Sequence, residues 1–63
     1  MSNRINDLAV KPILSIKELQ EYTGLSRDNT YRLARQSGAE IRLGRRVFVN
    51  RVRFEHYLDQ ITG

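Results

Sequence analysis

The sequence predicts one small α+β domain in which two short helices are followed by a β-hairpin and a closing helix. Three patterns predict it: two helical repeats separated only by "TGLS", the alternating stretch "IRLGRRVFVN" at residues 41–50, and an aromatic and leucine repeat after that stretch. The chain of 63 residues has room for a single core. A domain of this size buries only about 60% of the surface that its unfolded chain exposes.

Composition narrows the classes of function. The chain has no cysteine and one histidine, His56, which excludes disulfides and cysteine-ligated zinc. Because the carboxylates are scattered and there is no glycine-rich phosphate loop, an enzyme is the least favoured class, and we expect no cofactor and no metal. No apolar run approaches the length that spans a bilayer, and the N-terminus has no segment of signal-peptide type. We therefore expect a soluble intracellular protein.

Positive charge is concentrated in the middle of the chain. Residues 27–53 hold eight arginines and two acidic residues, a net charge of +6, whereas residues 1–26 are neutral and residues 54–63 carry −2. Arginine outnumbers lysine nine to two. Because the planar guanidinium suits bidentate contacts to phosphate and to guanine edges, this segregation favours a nucleic-acid partner over a merely solvated face.

The first helix follows a polar N-terminal segment. Residues 1–11 are aperiodic, and we expect them to form a flexible arm outside a domain of residues 12–63. Ile13 and Leu14 form either a very short strand or a lead-in to the helix. Ser15 and Glu18 have the spacing of a capping box, which predicts that the helix "IKELQEYT" begins here and ends before Gly24. Its apolar face is formed by Ile16, Leu19 and Thr23, with Tyr22 at the edge.

The second helix has a thin apolar stripe. Ser26 is a favourable N-cap and Gly38 a favourable stop, which predicts a helix over residues 27–37. Thr30, Leu33 and Ala34 follow the i, i+3, i+4 spacing of a buried face. Since helices built only for packing bury more than this, we expect the broad polar face to be the functional one.

Residues 40–49 predict a β-hairpin with two alternative registers. A loop of Gly44, Arg45 and Arg46 places four aliphatic residues on one face, and we favour it because the apolar pattern usually sets the register. These residues are Ile41, Leu43, Val47 and Val49, which leaves Arg42 and Phe48 on the outer face. A two-residue turn of Gly44 and Arg45 instead groups Phe48 with Ile41 and Leu43 and turns the valines out.

The closing helix "RVRFEHYLDQI" follows Asn50 as its N-cap. Its apolar residues recur at helical spacing and are expected to complete the core. They are Phe54, Tyr57, Leu58 and Ile61. His56 lies off this stripe and is expected to be exposed.

Two helices joined by three or four residues that include a glycine form a helix-turn-helix, whose second helix lies in the major groove of DNA. The polar face of the second helix therefore supplies one set of candidate DNA contacts, and the following hairpin supplies another as a wing. The helix residues are Arg27, Asp28, Asn29, Tyr31, Arg32 and Arg35, and the wing residues are Arg42, Arg45 and Arg46.

Several of these helix residues also have a purely structural interpretation. Asp28 complements the helix dipole or pairs with Arg32 as readily as it contacts a base. Asn29 is a capping partner more often than a base reader, and Tyr31 can pack against the hairpin with its hydroxyl left for a phosphate. Arg32 and Arg35 are the stronger candidates, because no acidic residue other than Asp28 lies three or four positions away.

The sequence also resembles a known family. "SIKELQEYTGLSRDNTYRLARQSG" and "IRLGRRVFVNRVRFEHYL" together resemble the excisionase-type branch of the MerR-like winged helix-turn-helix proteins over about residues 13–60. The features that carry the resemblance are "LSRDNTYRL", the stop at Gly38, "LGRR" and "FEHYL". It implies a small winged helix-turn-helix fold with a two-stranded β-hairpin wing and a closing C-terminal helix.

The resemblance implies a function as well. Excisionases, or recombination directionality factors, are non-catalytic proteins of prophages and conjugative transposons. They bind and bend attachment-site DNA and promote excision by a tyrosine-family integrase, with the recognition helix in the major groove and the wing in the neighbouring minor groove. By this resemblance we expect double-stranded DNA and an integrase as partners, cooperative self-association on DNA, and a location in the bacterial cytoplasm at the nucleoid.

Two other interpretations stay open. A small winged-helix transcription regulator of a mobile element would use the same DNA contacts, and a protein-interaction module would bind an acidic partner through the basic face. Salt-sensitive binding to duplex DNA separates the last from the other two. A recombination assay with an integrase separates excision from regulation.

Overall fold

A computed structural model of the chain describes the backbone of residues 4–62 and the side chains of residues 6–62. Within these residues, four helices and three strands follow one another in the order α1 Arg4–Ala9, β1 Ile13–Ser15, α2 Ile16–Thr23, α3 Arg27–Gln36, β2 Glu40–Leu43, β3 Arg46–Asn50 and α4 Arg51–Thr62. The predicted fold class, a small α+β helix-turn-helix with a hairpin and a C-terminal helix, is confirmed.

The sheet has three antiparallel strands in the order β1-β3-β2, one more than the hairpin alone provides. β1 pairs with β3 so that Leu14 lies opposite Val49, and both side chains are fully buried. Of the two alternatives for residues 13 and 14, the very short strand is the one that forms. Because β3 is the central strand, a side chain of β3 joins the core only if it lies on the face of the sheet that the helices cover.

The hairpin has a two-residue turn, and the register that we favoured is therefore wrong. Leu43 pairs with Arg46 across the hairpin, which leaves Gly44 and Arg45 as the turn. Gly44 has a φ of 63°, whereas Arg45 has no positive φ. A positive φ at the first turn residue alone matches a type II′ turn, whose twist suits the paired strands. Phe48 shares the outer face of the hairpin with Leu43, as in the alternative register.

The valines of the hairpin nevertheless point towards the core. Val49 is fully buried and Val47 packs against the core cluster. Arg42 lies opposite Val47 and so shares the valine face, which corrects its expected place on the outer face. The cause is tertiary: β1 places Leu14 beside Val49, and α2 and α4 contact β3. The alternating pattern of the hairpin alone does not contain that information.

Helix α2 begins and ends where the sequence predicts. The Ser15 hydroxyl accepts a hydrogen bond from the Glu18 N–H at 3.1 Å, and the Glu18 carboxylate accepts one from the Ser15 N–H at 2.9 Å, which together form a capping box. Lys11 donates to the same carboxylate at 2.6 Å, and this hydrogen bond above all lowers the pKa of Glu18 from its ordinary value. Gly24 ends the helix with a φ of 76°, a conformation that glycine adopts without steric cost.

Helices α3 and α4 also start at their predicted caps. The Ser26 hydroxyl accepts from the Asn29 N–H at 3.3 Å, and the Asn50 side-chain oxygen accepts from the Arg53 N–H at 3.1 Å. Helix α3 ends at Gln36, with residue 37 as its C-cap, one residue earlier than expected.

The core lies between the helices and the inner face of the sheet. Its fully or largely buried apolar residues are Leu8, Leu14, Ile16, Leu19, Ala34, Ala39, Val49 and Phe54. In α4, Leu58 packs against this cluster, but Ile61 is 54% exposed, so its expected place in the core is wrong. The last turn of α4 extends past the edge of a core that is too small to cover it. His56 is exposed, as expected.

The expectation of a flexible arm is wrong for residues 4–9, which form α1. Leu8 is fully buried in the core, and the Lys11 N–H donates to the Leu8 carbonyl at 3.2 Å. Ile5, Leu8 and Ala9 do follow the i, i+3, i+4 spacing of a helix face, but the pattern is only one turn long, and we had interpreted the segment as aperiodic. Residues 1–3 of the expected arm lie outside the described residues.

A polar cluster fastens the N-terminal segment to α2 and α4. The Arg51 N–H donates to the Pro12 carbonyl at 2.8 Å, and its Nε donates to the Lys11 carbonyl at 2.7 Å. The Arg51 Nη1 donates to Glu55 at 2.7 Å, and Glu55 also accepts from the Tyr22 hydroxyl. That last hydrogen bond stabilises the neutral phenol and raises the pKa of Tyr22. Arg51 is thus held within the fold.

The burial of Leu8 predicts a large loss of stability on truncation. Leu8→Ala should lower the free energy of unfolding by about 2–5 kcal/mol, because it leaves a cavity in the core. Val10→Ala is the matched control, since Val10 is 79% exposed and its truncation should change stability by less than about 0.5 kcal/mol. Urea denaturation followed by circular dichroism measures both, and equal effects of the two variants would show that α1 does not join the core.

Candidate nucleic-acid interface

The exposed face of α3 carries three charged side chains in one row. Asp28, Arg32 and Arg35 are exposed and follow the i, i+4, i+7 spacing of one helix face. Thr30 and Ala34, on the opposite side of the helix, are fully buried. Because the buried residues are small, α3 packs closely while its charged row stays in solvent.

Arg32 is positioned by a neutral partner. Its Nη2 donates to the Asn29 side-chain oxygen at 2.7 Å, so the pairing with Asp28 that the spacing allowed is not the one that forms. Asn29 takes part in the helix cap through its backbone N–H, which leaves its side chain available to hold Arg32. An amide partner orients the guanidinium without neutralising its charge, and the remaining N–H groups can still reach a phosphate or a base.

Arg35 extends the same row by one turn. It is exposed, and among the described residues no side chain forms an ion pair or a hydrogen bond with it. The same holds for Asp28 within that part of the chain. The row therefore contains the Arg32 guanidinium, which is oriented by Asn29, and the Arg35 guanidinium, which has no such partner among the described residues. The Asp28 carboxylate lies in the same row.

Arg27 and Tyr31 lie on the flank of α3 that faces α2. The Arg27 guanidinium lies 5.7 Å from the centre of the Tyr31 ring, a cation–π contact. Both line a surface groove of about 710 Å³ between α2 and α3, together with Lys17 of α2 and the turn residues Gly24 and Leu25. Tyr31 thus borders α2 and packs against the core cluster. The groove also contains Lys17, a basic residue that the sequence patterns did not single out, together with the acidic Glu21.

The three wing arginines differ in their surroundings. Arg45 lies in the turn and is exposed. The Arg46 guanidinium lies 5.2 Å from the centre of the Phe48 ring, on the outer face of the hairpin. Arg42 is 74% exposed, with its Nε 3.5 Å from Glu40 on the same strand, and an exposed pair of this length contributes little stability.

The wing and α3 are joined by a short, hydrogen-bonded link. Ala39 is buried, and its N–H donates to the Ala34 carbonyl of α3 at 3.1 Å. The Ala39 carbonyl accepts from the Asn50 N–H at 2.9 Å at the base of the hairpin. Arg53 covers Gly38, with its Nε 3.7 Å from where a Cβ would lie. The two basic regions therefore belong to one rigid unit.

A family model described as a helix-turn-helix domain matches residues 13–62, which contain α2, α3, the sheet and α4. The chain belongs to this helix-turn-helix domain family. Searches of curated proteins and of solved structures find no protein that matches it.

Membership of the helix-turn-helix family supports DNA binding, because the family includes excisionase-like DNA-binding proteins. Families of this kind are typically non-enzymatic. No three acidic or histidine side chains gather as a metal site among the residues that the structure describes. No helix in the described part of the chain is both long and apolar enough to cross a membrane. The helix and wing residues are thus candidate DNA contacts of a helix-turn-helix domain.

Two substitutions at the start of α3 should distinguish an effect on stability from an effect on DNA binding. Ser26→Ala removes the cap oxygen and should cost about 0.5–2 kcal/mol of stability. Asn29→Ala keeps the backbone N–H that the cap uses but removes the acceptor of Arg32, so stability should change by less than about 0.5 kcal/mol while affinity for duplex DNA falls several-fold. Thermal denaturation and fluorescence anisotropy measure the two effects. Loss of stability without loss of affinity in Asn29→Ala would contradict the positioning role of Asn29.

Proposed function

We propose that this helix-turn-helix protein is an excisionase, which binds and bends the attachment-site DNA of a mobile element and so promotes excision by a tyrosine-family integrase. The observation that carries the proposal is the row of exposed arginines on a capped helix joined rigidly to an arginine-tipped hairpin. Membership of a family that includes excisionase-like DNA-binding proteins supports it.

In this proposal α3 lies in the major groove. The guanidinium fork of Arg32 or Arg35 matches the two acceptors on the guanine edge, and the Asp28 carboxylate can accept from the cytosine amino group. A carboxylate in the same row disfavours simple binding to phosphates along the whole helix. The mixed row of one acid and two arginines therefore favours contact with base edges over a contact with the backbone alone.

The other basic residues surround this row and are proposed to contact the sugar–phosphate backbone. Arg27, held over the Tyr31 ring, and Lys17 lie on the α2 side of the helix. The wing follows α3 in the chain, and in this proposal its Arg42, Arg45 and Arg46 contact the adjacent minor groove. Most protein–DNA hydrogen bonds are made to phosphate and sugar, and such contacts fix the register in which a helix reads the bases.

The proposal of excision over transcriptional regulation rests on the resemblance carried by "LSRDNTYRL", "LGRR" and "FEHYL". A helix and a wing joined by a short hydrogen-bonded link can contact two neighbouring grooves at once, and in this proposal the DNA bends to follow both surfaces. Such deformation is the property that an accessory protein of recombination needs. Cooperative binding of several copies belongs to the same proposal.

Substitutions at Arg35 should distinguish base contact from phosphate contact. If Arg35 reads a base, Arg35→Ala should reduce the preference for the selected site by about 1–3 kcal/mol, and Arg35→Lys should show a similar loss because lysine lacks the planar fork. Competition assays with selected and scrambled duplexes at several salt concentrations measure this. If Arg35→Lys keeps wild-type preference and only Arg35→Ala binds less, with a salt slope reduced by about 0.9, Arg35 contacts a phosphate.

The excision activity should depend on the wing. Purified integrase and a plasmid that carries the two attachment sites should recombine to the excised product only when this protein is added. Replacing Arg45 and Arg46 together by alanine should reduce excision strongly and lower stability by no more than about 1 kcal/mol, since both side chains are exposed and only the contact of Arg46 with the Phe48 ring is lost. The excised product is measured by quantitative PCR across the rejoined site.

Two outcomes would overturn this proposal in different ways. If the protein binds duplex DNA but leaves excision unchanged, while a promoter near its gene responds to it, it is a transcription regulator. If it shows no salt-sensitive binding to any duplex, including the ends of the element that encodes it, the basic face serves an acidic protein partner instead. A gene for an integrase beside the gene for this chain would identify the integrase to use.

A further inference from the structure

One apolar side chain at the wing tip has no role within the described fold. Leu43 is 60% exposed and lies in the last pair of the hairpin, opposite Arg46 and directly before the turn. It belongs neither to the core nor to the half-buried residues that pack against the core. Isolated exposed leucines are common, so the position of Leu43 among charged neighbours is what requires an explanation.

The surroundings leave the end of the Leu43 side chain accessible. Arg46 lies across the hairpin, but its guanidinium is held over the Phe48 ring, two residues further along β3 on the same face and away from the tip. On the other side of Leu43, Gly44 has no side chain, and apart from its chain neighbours Leu43 and Arg45 no described residue has an atom within 4 Å of where its Cβ would be. The tip therefore presents one leucine beside open space, with Arg45 next to it in the turn.

We propose that Leu43 is an apolar contact of the wing with the minor groove, where it packs against sugars and base edges and opens a base step, and that this contact contributes to DNA bending. The inference deepens the proposed function and rests on it. The occupant follows from charge, because an apolar side chain at a tip that also carries Arg45 and Arg46 fits a surface that is both anionic and locally apolar. The interior of the minor groove, with phosphates along its rims, has these properties.

Only a side chain of the tip has to enter the minor groove. The minor groove of B-DNA is about 6 Å wide, too narrow for a paired ribbon whose strand axes alone lie about 4.7–4.9 Å apart, so the side chains at the end of the hairpin are the part of the wing that can reach the base edges. A two-residue turn that has a glycine as its first residue is the slimmest end that a hairpin can have. Other DNA-bending proteins insert leucine, phenylalanine or isoleucine into the minor groove, and the inserted side chain unstacks a base step and kinks the duplex. A tip with only polar side chains would neutralise phosphates but would not unstack a base step.

The inference can be tested on the duplex that the wild-type protein selects from a randomised pool. With donor and acceptor dyes at the two ends of a duplex of about 30 base pairs, a length over which a protein-induced bend is measurable, the wild type should raise energy transfer. Leu43→Ala and Leu43→Gln should each bind about tenfold more weakly, which corresponds to about 1.4 kcal/mol, with a smaller bend at saturation. Leu43→Met should retain both, and Val52→Ala, which truncates an apolar residue of α4 that is 56% exposed, should change neither.

Replacing guanine by hypoxanthine under the wing locates the contact. This change removes the amino group from the minor groove and leaves the major-groove pattern intact. The wild type should bind the altered duplex several-fold more tightly, and Leu43→Ala should gain much less. The salt dependence should be the same for Leu43→Ala and wild type, because no charge is removed.

The possible failures are distinguishable. Wild-type affinity and bend in both Leu43→Ala and Leu43→Gln would overturn the role of Leu43 and leave the proposed DNA binding intact. Weaker binding with an unchanged bend and no response to hypoxanthine would also overturn it, because Leu43 would then lie outside the minor groove. If the wild type binds no duplex, the proposed function itself fails, and the inference fails with it.

Discussion

The central strand β3 is the element on which the rest of the structure depends. It pairs with β1 on one side and β2 on the other, and Val49 is buried between the strands and the helices. The next residue, Asn50, donates its N–H to Ala39 and accepts from the first turn of α4 with its side chain. Two adjacent residues thus fix the sheet, the end of α3 and the start of α4. Since α3 and the wing are both fixed through this point, the candidate DNA contacts have one relative arrangement.

A core this small needs support from outside the helix-turn-helix. Leu8 fills part of it from α1, and Arg51 holds the segment between α1 and β1 through two backbone carbonyls. Glu55 and the Tyr22 hydroxyl complete that polar cluster, so α4 is fastened to α2 by hydrogen bonds where the apolar contacts end. A hydrogen bond to a charged group contributes about 1.5–3 kcal/mol, and solvent reduces this where the groups are partly exposed, as they are here. Several such bonds together still matter in a domain whose total stability is expected to be about 3–9 kcal/mol.

Features of the fold that are fixed by interactions between residues close in the chain could be predicted from the sequence. Features that are fixed by residues distant in the chain could not. The starts of α2, α3 and α4 follow from Ser15, Ser26 and Asn50, whose side chains bond within three residues, and the sequence shows such pairs directly. The faces of the hairpin depend on Leu14, a residue distant in the chain, and the alternating pattern alone led to the wrong register. The burial of Leu8 and the exposure of Ile61 likewise depend on where the core ends. In the candidate site, the sequence identified the arginines but not which neighbour would hold each of them.

The neighbours of the arginines decide which of them remain available to an anionic partner. Arg51 is paired with Glu55 and held by backbone carbonyls, so its charge is used inside the protein. Arg32 is held by an amide, and Arg27 and Arg46 by aromatic rings. These three contacts orient a guanidinium and leave its full charge in place, whereas a carboxylate would neutralise it. Orienting the side chains in advance reduces the conformational entropy that binding would otherwise cost. Arg42, with its Nε 3.5 Å from Glu40, is the wing arginine that has an acidic neighbour instead. The neutral partners of Arg27, Arg32 and Arg46 therefore leave three oriented positive charges on the exposed surface of α3 and the hairpin, where an anionic partner can reach them.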